Sequence, residues 1–336
     1  MKRLAVLWSV LLLAMVSSVA AQGGPTRAVI TPENAAQLTE VAVVQRGAFN
    51  AIWAIAWSPD SAQLAVVDSQ MVWLYSADDW QAAPRRLVGN VGWVRSAVFG
   101  PNRLVTGRND GMVQFWDPVT AKSDALVRTD SDVIHSVAVS SDGALVAAGG
   151  HEGEVMVWDV AQETMVWAQT LHDPVPVRTV AFDPAGARLV SGAEDNRLIV
   201  WDVATGEPLY ELGEEGSDVY SAVFSPDGSL LVAGTARGET LSLYDAASGE
   251  RLQVLPGQLW EINSVIFSPD GALLVSAGIE SESGENRYTV RLRDTVDFAE
   301  RMRFEAEGVI SAVAFSPDGT LLAAAGQDGK VTVWGN

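Results

Sequence analysis

An all-β, seven-bladed β-propeller of four-stranded antiparallel blades is the fold predicted by this 336-residue sequence, and three observations predict it. A Phe-Ser-Pro-Asp-Gly turn recurs, complete at 224–228, 267–271 and 315–319 and degenerate at Trp57-Ser58-Pro59-Asp60, Phe99-Gly100-Pro101-Asn102, Val139-Ser140-Ser141-Asp142-Gly143 and Phe182-Asp183-Pro184-Ala185-Gly186. The third positions, 59, 101, 141, 184, 226, 269 and 317, stand 42, 40, 43, 42, 43 and 48 residues apart, the period of one blade. The last unit ends after its third strand, while a spare apolar strand at 38–44 precedes the first. Pairing the two would close the ring and remove two sheet edges.

From the N-terminus, Lys2-Arg3, an apolar run over 4–16 and the small residues up to Ala21 are the parts of a secretory signal peptide, with cleavage expected after Ala21. An uncleaved anchor is the alternative, although the run is short for a bilayer span of ~20 residues. Residues 22–37 read as a linker, and 38–336 as a single propeller domain. No cysteine is present, so disulfides, Cys-ligated metals and a lipobox attachment are excluded.

Within each unit a short apolar strand meets the Pro/Gly turn, whose residues supply the fixed and the positive φ of a tight reversal. A second apolar strand, a Gly/Asp-rich turn and a third strand ending in an aromatic follow. The strands are apolar on both faces, as blades sandwiched between neighbours require. The long interval before the last turn reflects an insertion at 280–286, Glu-Ser-Glu-Ser-Gly-Glu-Asn, read as a solvated loop.

The third strands end at Tyr75, Trp116-Asp117, Trp158-Asp159, Trp201-Asp202, Tyr244-Asp245, Arg293-Asp294 and Trp334. In these residues the chain resembles the WD-repeat β-propeller family over about 38–336, as an exported member of bacterial type. The resemblance implies closure of the ring by mixed termini. It also implies a buried hydrogen-bonded set per blade, which blade four carries complete in His172, Ser191, Asp195 and Trp201. Other blades depart from it, with Gly89-Asn90 and Gly257-Gln258 in place of Gly-His, and Ala148 or Ala324 at the Ser position.

Lys+Arg 22 against Asp+Glu 42 gives a formal charge of −20, which disfavours nucleic acid and anionic membranes as partners. No catalytic constellation stands out: there is no Gly-x-Ser-x-Gly elbow, and the many Asp residues belong to turns. His135 and His151 with Asp132 or Glu152 match no metal-ligand spacing, so no metal and no cofactor is expected. Twelve Trp residues could suggest a sugar surface, but Trp116, Trp158, Trp201 and Trp334 are structural, which leaves Trp53, Trp93 and Trp260.

The candidate site comes from the repeat itself. Four residues before each turn aromatic stand Trp53, Arg95, His135, Arg178, Tyr220, Asn263 and Ser311, which vary freely. The residue before each is β-branched (Ile52, Val94, Ile134, Val177, Val219, Ile262, Ile310), and the residue after is small (Ala54, Ser96, Ser136, Thr179, Ser221, Ser264, Ala312). A position that escapes such constraints is not packing, and Trp, Tyr and Arg dominate binding hot spots. The turn before the third strand is expected to add Asn109, His151, Glu194, Arg237 and Gln327 to this top rim. Arg95, Arg178 and Arg237 would make a basic spot suited to a segment carrying carboxylates. The expectation is a monomeric, non-catalytic scaffold that binds a protein or peptide outside the cytoplasm. The alternative is a propeller enzyme, or a small-ligand or metal-binding protein, using the central funnel.

Overall fold

The computed structural model describes residues 27–46, 50–69, 71–89, 92–172, 174–213, 217–236, 240–256, 261–282 and 285–336. The expected signal peptide, Asn90, Arg237 and Gly257 to Trp260 lie outside them.

Seven four-stranded antiparallel sheets succeed one another along the chain, and the one helical segment among the described residues is the 3-10 turn Ala35–Gln37. The innermost strands are Ile52–Trp57, Val94–Phe99, Ile134–Val139, Val177–Phe182, Val219–Phe224, Glu261–Phe267 and Ile310–Phe315. The ring closes as the sequence predicts: Thr39–Gln45 pairs antiparallel with Lys330–Gly335, from Thr39 opposite Gly335 to Gln45 opposite Lys330, and so completes the seventh blade.

Turn chemistry explains where each inner hairpin reverses. In the Ser-Pro-Asp-Gly turns the Ser hydroxyl donates to the Asp carboxylate, as from Ser225 to Asp227 at 2.5 Å and from Ser268 to Asp270 at 2.6 Å. The same Ser oxygen accepts the backbone N–H that opens the second strand, Leu230 at 2.9 Å in blade five. The Ser225 hydroxyl, together with the N–H and hydroxyl of Ser229, holds the Asp227 carboxyl down at about 2.

Blades meet through two devices. The β-branched residue that starts each inner strand is almost wholly buried, and four of them press on a glycine in the preceding blade's second strand. A Cβ on Gly192 would sit 2.5 Å from Val219, and one on Gly234 2.5 Å from Ile262, so only glycine admits this approach. The second device is a ring of hydroxyls. Ser96, Ser136, Thr179, Ser221 and Ser264 each accept the backbone N–H of the next inner strand, from Val137, Val180, Ala222, Val265 and Val313, at 3.0–3.3 Å. Ala54 and Ala312 cannot do this, so the two junctions of blade one lack the bond. At the junction of blades seven and one the Trp57 indole N–H donates to the Ala314 carbonyl instead, at 3.2 Å.

Two expectations change. Of the segment read as a linker, Ile30 and Ala35 are fully buried against blades six and seven, and the Ile30 N–H donates to the Gly319 carbonyl at 2.9 Å. Burial of these apolar side chains outweighs chain freedom that a polar linker would retain. The insertion read as a solvated loop is mostly strand. Leu273–Glu282 and Glu285–Asp294 stay paired out to Glu282 opposite Glu285. Glu280 is buried there because Thr289 Oγ1 and Arg291 Nε donate to it at 2.7 and 2.8 Å, with the Arg303 guanidinium 3.5 Å away.

Candidate functional site

Pairing of the first and second strands slips once in every blade, and the slips fall at one repeat position. They lie between Ile52 and Ala54, Val94 and Ser96, Ile134 and Ser136, Val177 and Thr179, Val219 and Ser221, Ile262 and Ser264, and Ile310 and Ala312. The residues skipped are Trp53, Arg95, His135, Arg178, Tyr220, Asn263 and Ser311. A β-bulge leaves one residue without a cross-strand partner and re-aims its side chain. Buried β-branched neighbours pin each bulge on one side and the interblade bonds pin five on the other. The skipped residue is thereby released from packing.

All seven, with Glu261 and Gln327, line one cavity of about 360 Å³ where the inner strands begin. The Arg95 guanidinium lies over the Trp53 ring at 4.9 Å, and that of Arg178 over the Tyr220 ring at 5.6 Å. Asn263 donates its amide N–H to the Ile310 carbonyl at 3.1 Å. Arg95 Nε and Ser311 Oγ are buried without a hydrogen-bond partner among the described residues. Burial, then the Arg178 charge, lowers the pKa of Arg95.

Of the turn residues expected on this rim, Gln327 lines the cavity, whereas Asn109, His151 and Glu194 act on neighbours. Asn109 Oδ1 accepts from the Trp93 N–H at 2.8 Å, and the Asn109 N–H donates to the Trp93 carbonyl at 2.9 Å. Arg178 Nε donates to Glu194 Oε1 at 2.6 Å. Within the expected basic spot Glu194 pairs with Arg178, and Arg237 lies outside the described residues. Trp93 is half exposed beside this rim.

His135 and His151 meet at 3.0 Å between Nε2 and Nδ1, and Arg178 Nη1 donates to His135 Nδ1 at 3.4 Å. That donor places the His135 proton on Nε2, from which it is given to His151. Burial, then the Arg178 charge, the neighbouring His151 and the Arg95 charge, pushes the His135 pKa down to about 3, so its imidazole is neutral at physiological pH. No carboxylate completes a three-ligand metal group with the two imidazoles among the described residues.

The polar set of blade four lies away from this cavity. His172 Nδ1 donates to the Asp195 carboxylate at 2.9 Å, His172 Nε2 accepts from Ser191 Oγ at 2.8 Å, and the Trp201 indole donates to the same Ser191 oxygen at 2.8 Å. Every donor and acceptor on the two imidazole nitrogens is used inside the protein, which is the pattern of a structural polar network. Other blades use other groups. In blade two the Trp116 indole donates to Thr106 Oγ1 at 2.9 Å, and in blade one the Trp73 indole donates to Asp68 at 2.8 Å. In blade six, where Arg293 replaces the tryptophan, its guanidinium donates to Ser276 Oγ at 3.1 Å.

A family model described as the WD domain, G-beta repeat, matches residues 249–284 and 300–335, and one described as the nucleolar protein 10-like N-terminal domain matches 101–250. Among curated proteins the chain is 32% identical over 83 residues to the small ribosomal subunit protein RACK1y of Oryza sativa subsp. japonica, covering 24% of this chain and 25% of the relative. It is 28% identical over 91 residues to MST50-interacting protein 11 of Pyricularia oryzae, covering 26% and 29%. It is also 28% identical over 110 residues to WD repeat-containing protein 1-B of Xenopus laevis, covering 31% and 18%. The match thus spans under a third of each relative's length, and all three relatives are eukaryotic. The WD-domain repeat model and the propeller model thus each match part of this chain, in agreement with its seven closed four-stranded blades.

Proposed function

We propose that this chain is a monomeric, non-catalytic binding module that acts outside the cytoplasm and engages a protein or peptide segment at the end of the channel where the seven bulges converge. One observation carries the reading: the repeat fixes the residues on either side of each bulge and leaves the bulged side chain variable, and all seven variable side chains line one cavity. A scaffold that holds its fold constant while varying one ring of side chains is built to recognise something. The partner class draws support from a relative named for its interaction with another protein. A net charge of −20 argues against nucleic acid. Export rests on the basic, apolar and small-residue order of the first 21 residues, and no helix among the described residues is long and apolar enough to cross a membrane.

The test is a capture experiment with two baits, the chain lacking residues 1–21 and its Trp53→Ala/Arg95→Met/Tyr220→Ala variant, both shown to be folded. A protein retained by the first and lost by the second is the expected result. Equal retention by both would move the site to the opposite face or the outer strands. Hydrolase activity or stoichiometric metal in the purified protein would favour the rival reading, a propeller that uses the funnel as an enzyme or ligand site.

A further inference from the structure

The central cavity contains an unusual pair of atoms for a protein interior. Arg95 Nε and Ser311 Oγ are both buried, both line this cavity and both lack a hydrogen-bond partner among the described residues. An orphaned buried donor is costly, and a native chain keeps one where something else completes it. The two residues come from blades two and seven, on either side of Trp53 in blade one, and both face the same cavity. Its charge follows from the surroundings. Arg178 is already paired with Glu194, whereas Arg95 has no carboxylate within ion-pair distance among the described residues and is stacked over Trp53 at 4.9 Å. A guanidinium held over an aromatic ring can still offer its N–H groups to a planar acceptor, and Arg95 Nε has no partner among the described residues.

We propose that this cavity takes one carboxylate group, which accepts hydrogen bonds from the Arg95 guanidinium and from the Ser311 hydroxyl. Building on the binding role above, the occupant is an acidic side chain of a peptide segment. A volume of about 360 Å³ holds one or two side chains and not a folded element. Charge-assisted bonding by a guanidinium in a half-buried site makes the group specific for the ionised acid over its amide. The site also accounts for a stacked, desolvated arginine on a protein whose surface is otherwise acidic. Arg178 contributes little to this selection, since its charge is answered within the protein.

Saturation-transfer NMR on the purified full propeller tests this with three probes: acetyl-Gly-Glu-Gly-amide, its Gln counterpart and free glutarate. The Glu peptide is expected to bind in the millimolar range and at least ten times more tightly than the Gln peptide. Arg95→Met should abolish that preference while leaving the melting temperature unchanged or higher, because the variant removes an unpaired buried cation. Arg287→Gln, which deletes an exposed cation outside the cavity, should keep it. Should Arg95→Met fail to fold, Arg95→Lys retains the cation without Nε or the planar edge, and should weaken the Glu peptide at least fivefold. Equal binding of the Glu and Gln peptides, absence of binding by all three probes, or a preference that survives Arg95→Met would each overturn the proposal. Binding of glutarate alone, lost in Arg95→Met, would uphold the carboxylate site and instead count against the peptide-binding role.

Discussion

Replacing His172 by Ala should destabilise the whole ring, whereas replacing His135 by Ala should not. His172 is buried, and its two nitrogens carry bonds of 2.8 Å to Ser191 and 2.9 Å to Asp195. The variant would take a charge-assisted bond from a carboxylate that is 2% exposed, take the acceptor of the Ser191 hydroxyl, and leave an imidazole-sized void. Asp195 keeps the Arg197 N–H at 3.1 Å and the Arg197 guanidinium at 3.6 Å, which limits the loss. Removing a hydrogen bond to a charged group costs about 1.5–3 kcal/mol, and the neutral bond and cavity add to it, so about 3 kcal/mol is expected. For a domain of this size that lowers Tm by ~6 °C. His135 makes its contacts at 3.0 and 3.4 Å in a cavity that water can enter, so its loss should stay below about 1 kcal/mol and ~2 °C. Scanning calorimetry on the three proteins decides. Equal shifts, or a His172 variant within ~2 °C of wild type, would refute the account of blade four.

Removal of residues up to Gln45 should expose the edge of Lys330–Gly335 and that of its lost partner site, with aggregation visible by light scattering and a fall in Tm above ~10 °C. Ser221→Ala should strand the Val265 N–H, now bonded at 3.0 Å, and cost about 1 kcal/mol, measurable as a shift in denaturation midpoint. For His135 the folded pKa of about 3 lies below the ordinary value of 6.5, so the unfolded chain binds a proton that the native state refuses. Stability should therefore fall as pH drops through 6.5 towards 3, and the slope should shrink in His135→Gln; NMR titration showing this imidazole protonated at pH 6 would contradict the assignment.

The repeat was legible because its signals are local. A Ser-Pro-Asp-Gly turn makes its own hydrogen bonds within five residues, so seven phased copies announce seven hairpins. The closing strand was legible from a different cue, a final unit that ends one strand short beside a spare strand at the other terminus. The ring of variable residues was also visible, but its cause was not. A bulge is a register shift between two strands and leaves no mark on either one alone. The residues beside it stood out in the sequence only as small, although five of the seven carry a hydroxyl that bonds the next blade, and that Ser/Thr preference was the available signal. Charge misled twice. Glu194 was assigned to the same rim as Arg178 without the pairing that cancels both, and Glu280 sat in an acidic run that resembles a loop. Thr289, Arg291 and Arg303, brought alongside by strand pairing, make its burial tolerable. Ile30 and Ala35 gave too few apolar positions to show a period, so their packing onto blades six and seven could not be read.

The central claim is that the bulged ring is the recognition surface. Its most direct measurement is the affinity of a captured partner for the wild-type chain and for the Trp53→Ala/Arg95→Met/Tyr220→Ala variant, with Tm recorded on the same samples. Removing two aromatic anchors and the unpaired guanidinium should raise Kd by ~100-fold or more while Tm stays within ~2 °C, because none of the three has a cross-strand partner to lose. An unchanged Kd in the folded variant would contradict the claim.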